Sequence, residues 1–188
     1  MTLSSSTLYL IRHATPDWSR TDLVYHLPPG PPLTPQGEDE ATQLGAFLRD
    51  AGVRRILASP LERCQRTAQI AAGEAEASFH EDASLAEWRP EEKEIDVRER
   101  LWPTWERVAS ASPGTGPAAF VTHGGPIAVL LKDLGLDEIV LEHYRKLFDR
   151  HNPLPPAGAW KATRPSPGSA WELSLAFTPE AYRKSLMV

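Results

Sequence analysis

Only one cysteine, Cys64, occurs in 188 residues, so no internal disulfide is available and no cysteine-based metal spacing exists. An excess of positive charge is also lacking: 20 Lys and Arg face 25 Asp and Glu, a formal net charge of −5, which leaves no basic footprint for nucleic acid. A few local arginines can still outweigh that mean field, so an anionic small molecule is not excluded. No apolar run approaches the roughly 20 residues needed to cross a bilayer. The opening stretch Met1–His13 lacks the basic region and long apolar core of a secretion signal. The reading is a cytoplasmic protein with no membrane partner. Internal repeats and domain linkers are absent too, and the length suits one domain over residues 1–188. Proline is the residue in excess. The 18 prolines cluster at Pro28–Pro35, Pro153–Pro156 and Pro165–Pro167, and read as rigid surface connections.

Three segments share one grammar: a short apolar strand, a loop, then a helix. The first strand, Leu8–Ile11, runs directly into Arg12 and His13. After a proline-rich loop, Thr34 is placed to cap a helix with Pro35 at its first position. Ala41, Leu44, Leu48 and Ala51 give that helix its apolar stripe, and Gly52 stops it. The second strand is Arg55–Ala58. Ser59-Pro60-Leu61-Glu62 has the spacing of a capping box, which assigns Ser59 to capping and puts Arg63 in the first turn. The third strand, Ala118–Val121, leads through Thr122 and His123 into Gly124-Gly125-Pro126. A helix carrying Ile127, Val129, Leu130, Leu131 and Leu134 follows, as far as Gly135. Near the end, Trp160–Thr163 and Trp171–Phe177 flank a Pro-Ser-Pro-Gly stretch and read as a hairpin.

Apolar strands alternating with amphipathic helices predict an α/β fold, a three-layer α/β/α sandwich on a mostly parallel sheet. Ligands of such sheets bind at the carboxyl ends of strands. Arg12, His13, Arg63 and His123 all fall there. Forked guanidiniums match phosphate oxygens and stay charged at any working pH. Gly124 and Gly125 let backbone N–H groups approach an anion at a helix start. Phosphoryl transfer needs a positioned nucleophile and charge on the equatorial oxygens. Arg12, Arg63 and His123 suit the second need and His13 the first, with no metal and no cofactor implied.

These residues carry a resemblance. Leu10-Ile11-Arg12-His13-Ala14-Thr15 resembles the "RHG" signature of the histidine phosphatase superfamily, the phosphoglycerate-mutase-like enzymes. Pro32-Leu33-Thr34 with Gly37 is similar to the family's next landmark. Ala58–Arg63 with Thr67-Ala68 resembles its second-arginine motif, and Phe120–Gly125 its second-histidine motif. The resemblance implies that His13 is phosphorylated in turnover while Arg12, Arg63, His123 and the Gly124 backbone hold the transferred group. The family's proton donor follows a Leu-x-Glu segment, and Leu85-Ala86-Glu87 fits, which makes Glu87 the candidate acid.

Three departures stand out. Ala14 replaces the usual glycine. The residues after Glu87 lack the Gly-Trp-Glu-Gly pattern of many members, which leaves Glu91 and Glu92 as fallback acids. Ser19 follows Trp18 where mutases carry asparagine. Together with a chain short for a mutase, Ser19 favours a phosphatase acting on a small phosphorylated substrate. The competing readings are a mutase, a zinc site built from His13, His123 and Glu87, and a non-catalytic phospho-ligand binding module. His26, His80, His143 and His151 are assigned no chemistry, although His26 lies on a loop able to overhang the site. Arg66 is read as solvated, Cys64 as packed, and Glu91–Glu94 as the wet face of a helix.

Overall fold

The computed structural model describes residues 5–148 and 152–184. Its elements run β1 (Ser6–Arg12), α1 (Pro35–Asp50), β2 (Arg55–Ala58), α2 (Glu62–Ala75), β3 (Ser78–Glu81), a 3₁₀ turn (Ala83–Leu85), α3 (Glu94–Thr115) and β4 (Ala118–Thr122). Then come α4 (Gly124–Asp133), α5 (Glu138–Phe148), β5 (Ala159–Arg164), β6 (Glu172–Phe177) and α6 (Glu180–Arg183). One sheet orders the strands β3-β2-β4-β1-β5-β6. β3, β2, β4 and β1 pair in parallel, and β5 and β6 add two antiparallel pairings at one side. The mostly parallel α/β sheet and the late hairpin both agree with the sequence reading.

Alternation along the strands divides the core in two. Leu8, Leu10 and Phe120 pack against Leu101, Trp105 and Val108 of α3 and Ile127, Leu130 and Leu131 of α4. Tyr9, Ile11, Ile56 and Val121 point the other way, onto Ala41, Leu44 and Leu48 of α1 and Ala68 and Ala71 of α2. Each fully buried leucine contributes roughly 1.5–3 kcal/mol. Together the two layers hold the ends of β2, β4 and β1 side by side. α1 begins as predicted: Thr34 Oγ1 accepts the Gly37 N–H at 3.0 Å and Pro35 opens the helix. Past the end of α1, Gly52 takes φ +73°, a conformation that favours glycine.

Some expectations need correction. Glu91–Lys93 precede α3 rather than lying on it. Pro153 and Pro155 are buried, not at the surface, because their segment packs against the strand ends. Pro165 and Pro167 are exposed, as expected. His151 lies outside the described residues. Among those described, no helix is long and apolar enough to cross a membrane.

Candidate active site

β2, β4 and β1 are neighbours, so their carboxyl ends deliver Ser59, His123 and His13 to one place. The His13 N–H donates to the Thr122 carbonyl at 3.0 Å, and the Ser59 N–H to the Val121 carbonyl at 3.0 Å. Arg63 arrives from the first turn of α2. All four side chains are fully buried, and Arg12 nearly so. The rings of His13 and His123 lie 5.3 Å apart. The structure thus brings together His13, His123, Arg63 and Ser59, and Glu87 joins them from the other layer.

His13 Nδ1–H donates to its neighbour's carbonyl, Ala14 O, at 2.8 Å. That bond commits the proton to Nδ1 and leaves Nε2 bare. Burial, and then Arg63, His123 and Arg12, push the ring's pKa well below 6.5, against the opposing Ala14 bond. A neutral, oriented imidazole with one free nitrogen is what a nitrogen nucleophile requires. The Ala14 N–H donates to Thr67 Oγ1 at 3.0 Å, and Thr67 Oγ1 donates to the Arg63 carbonyl at 2.6 Å. The Ala14 methyl lies in the apolar cluster beneath α1 and α2. Arg12 Nη1 donates to the Leu154 carbonyl at 2.9 Å, and the Ala157 N–H to the His13 carbonyl at 3.2 Å. The segment containing Pro153–Pro156 therefore forms a wall of the site.

Ser59 does not cap α2. The cap position is Leu61, without a side-chain bond, and the Glu62 N–H donates to the Pro29 carbonyl at 2.8 Å. Ser59 Oγ lies 2.8 Å from His123 Nε2 instead. The capping-box spacing is present and Ser59 Oγ accepts the Leu61 N–H at a long 3.4 Å, but its shorter bond is to His123 and the preceding loop takes the Glu62 N–H. On the other side of the ring, His123 Nδ1 is 3.1 Å from Arg63 Nη2 and 3.2 Å from Glu87 Oε2. Burial lowers the His123 pKa despite Glu87, with Arg63 and Arg100 adding to the effect. Since a hydroxyl either donates or accepts, Ser59 satisfies Nε2 in either tautomer. Cys64 is packed as expected, its thiol buried and its pKa pushed up to about 12 by that burial.

Glu87 Oε2 lies 3.3 Å from Arg63 Nη2, and Oε1 accepts the Trp88 N–H at 2.9 Å. Burial alone raises this carboxyl's pKa, but His123, its hydrogen bond, the Trp88 N–H and Arg63 outweigh that and hold it at about 2. Glu87 is therefore ionised among its protein partners. Its backbone is fixed by residues that the sequence reading overlooked. Thr122 Oγ1 donates to the Leu85 carbonyl at 2.6 Å, and Arg100 on α3 donates to the Ser84 and Glu87 carbonyls. Of the fallback acids, Glu92 is committed to Arg100 at 2.8 Å and to the Arg89 N–H at 2.9 Å, and Glu91 is exposed.

Gly124 opens α4, with His123 at the cap. A side chain there would overlap the Asn152 carboxamide, so only glycine lets this segment lie over the helix start. Among the described residues, no three His, Cys, Asp or Glu side chains are grouped to hold a metal ion. Arg66 is exposed and pairs with Glu38 at 2.7 Å. Tyr25, which nothing in the sequence singled out, places its hydroxyl 3.4 Å from His13 Nε2. Its position depends on the long loop folding back over the site, and local patterning carries no signal for that.

A model of the histidine phosphatase superfamily (branch 1) matches residues 8–94, a little under half of the chain. Among curated proteins, a probable phosphoglycerate mutase GpmB of Citrobacter koseri is 32% identical over 103 residues, covering 53% of this chain and 47% of that protein. The corresponding protein of Klebsiella pneumoniae subsp. pneumoniae is 36% identical over 80 residues, covering 43% of this chain and 37% of its own. The chain thus spans about half the length, or less, of the curated relatives it matches. Among solved structures, phosphoglycerate mutase from Bacillus anthracis superposes with a TM-score of 0.75 at 14% identity, covering 98% of each chain. A mycobacterial glucosyl-3-phosphoglycerate phosphatase gives 0.67 at 18%, covering 91% of this chain and 98% of that one. These two likenesses show the fold.

Proposed function

We propose that this chain, a relative of the histidine phosphatase superfamily, works as a single domain that hydrolyses a small phosphomonoester through phosphohistidine on His13. The observation that carries the reading is the bare Nε2 of a buried, neutral His13, its ring fixed by Ala14 O and flanked by two arginines. Nε2 attacks phosphorus while Arg12, Arg63, His123 and the Gly124 N–H hold the phosphoryl oxygens. Preorganised donors of this kind stabilise developing charge without reorganising. Water then cleaves the P–N bond and releases orthophosphate.

Glu87 gives the leaving oxygen its proton, so a carboxylate that is ionised among its protein partners must be protonated once substrate is bound. An entering phosphoryl group draws Arg63 and His123 away from the carboxylate and adds negative charge beside it. Both changes raise its pKa. General acids contribute roughly 10²–10⁴-fold, and most where the leaving oxygen is basic. Glu87→Gln is therefore expected to slow alkyl phosphates severely and p-nitrophenyl phosphate only mildly. Initial rates on both substrates check this, and equal losses on the two would remove Glu87 as the acid.

A mutase is the second reading, favoured by the names of the curated relatives. A mutase must keep water from its phosphohistidine until a second hydroxyl attacks. Ser19, in place of the asparagine of mutases, supports hydrolysis. With 3-phosphoglycerate as substrate, we expect free phosphate to accumulate and 2-phosphoglycerate to remain negligible. Rapid interconversion with little phosphate released would reverse the assignment. A domain that only binds phosphorylated ligands would turn over neither 3-phosphoglycerate nor p-nitrophenyl phosphate.

A further inference from the structure

Tyr25 stands where the reacting phosphorus has to be. Its hydroxyl is 3.4 Å from His13 Nε2, and a phosphorus poised for attack lies about 3–3.5 Å from its nucleophile. Because Nδ1 keeps the proton of His13, the bond between them has one sense: the phenol donates and the bare nitrogen accepts. At that length the bond is weaker than an ordinary O–H···N contact, so little is lost when a phosphoryl group takes its place.

The hydroxyl cannot move far. The Tyr25 ring lies against Arg63, whose guanidinium carbon is 3.9 Å from the ring centroid. Trp18 stacks on the same ring with centroids 5.0 Å apart. Arg63 Nη1 also holds the Tyr25 backbone carbonyl at 2.8 Å, and the Pro29 carbonyl ties the end of the loop to the start of α2. A substrate that displaces the hydroxyl from Nε2 therefore leaves it beside the phosphoryl oxygens, which are stronger acceptors than the nitrogen it gave up.

We infer that Tyr25 is a further catalytic residue whose hydroxyl passes from His13 Nε2 to a nonbridging phosphoryl oxygen during transfer, a role that rests on the phosphohistidine reading. The step balances without any change at the phenol. The Nε2–P bond forms, the ester P–O bond breaks, and the leaving oxygen takes its proton from Glu87. Tyr25 keeps its proton and changes only its acceptor. When water attacks the phosphohistidine, its proton goes to the Glu87 carboxylate, orthophosphate leaves, and the Tyr25 hydroxyl returns to Nε2. Burial keeps the phenol protonated throughout, with its pKa pushed up to about 12 against the pull of Arg63.

The test is Tyr25→Phe, which keeps the ring against Arg63 and Trp18 and removes only the donor. Hydrogen bonds to charged groups of this kind are worth roughly ten- to a hundredfold in rate. Rapid-quench kinetics should show phosphohistidine forming slower by that factor, and kcat falling with it while KM and affinity for inorganic phosphate stay close to wild type. Tyr25→Leu, which also removes the stack on Arg63, should raise KM in addition. If Tyr25→Phe phosphorylates His13 at the wild-type rate, or faster, the hydroxyl takes no part in transfer and the proposal fails alone. If the wild-type protein forms no phosphohistidine while hydrolysing substrate, the proposal and the reading beneath it fail together.

Discussion

Replacing His13 with alanine is expected to lower phosphomonoester hydrolysis by about three orders of magnitude or more, the scale seen when an enzyme loses its nucleophile. In the proposed mechanism the arginines, His123 and the Gly124 N–H can still gather a phosphate, but with Nε2 gone the nucleophile is missing. The ring is fully buried, so alanine also leaves a void and the unpartnered Ala14 carbonyl. His13→Asn separates the two effects, because its amide can donate to that carbonyl yet offers no nucleophile. Both variants should be inactive, and the asparagine form should melt closer to wild type. The pH profile carries the same signature. Folding holds the His13 pKa well below 6.5, so the neutral nucleophile survives into acid and His13 should not limit the rate near pH 6.5. The unfolded chain binds a proton on this residue at about pH 6.5 while the folded chain does not, so His13 lowers folding stability as pH falls through that value.

The second large effect belongs to Arg63. One guanidinium bonds the Tyr25 carbonyl at 2.8 Å, lies 3.1 Å from His123 Nδ1 and 3.3 Å from Glu87, and packs on the Tyr25 ring. Lysine keeps the charge but has one ammonium for all of these places and no planar face for the ring. Buried here, it also loses proton affinity by desolvation. Arg63→Lys should cost about 2–4 kcal/mol of transition-state stabilisation, as removal of one preorganised donor does. Measurement of kcat/KM on p-nitrophenyl phosphate checks this, and wild-type-like values would place Arg63 outside the phosphate pocket.

The sequence made these residues legible because each follows a short apolar strand. The runs Leu8–Ile11, Arg55–Ala58 and Ala118–Val121 marked the strands, and in a parallel sheet their carboxyl ends converge. What depended on distant contacts was not legible. Ser59 carries a local capping pattern, and only the fold shows His123 taking its hydroxyl. Tyr25 sits in a proline-rich loop without periodicity, and its place over His13 comes from Arg63 and Pro29 docking on the start of α2. Only the very start of α3 was legible, at Glu94 in the charged run, and its length was not, because Pro103 and Pro113 lie within it and proline ordinarily argues against a helix interior. β3 escaped notice because an edge strand reading Ser-Phe-His-Glu offers one apolar residue and is mostly exposed. Arg100 follows no strand end and belongs to no motif, yet it fixes the backbone of Glu87 from the opposite layer.

The claim at the centre is that phosphate passes through His13. Turnover quenched within milliseconds by alkali, followed by peptide mapping, tests it most directly. The expected result is one phosphate on the peptide containing His13, stable to base, released by acid, and absent from His13→Asn. Full hydrolytic activity without such an adduct, or an adduct on another residue, would contradict it.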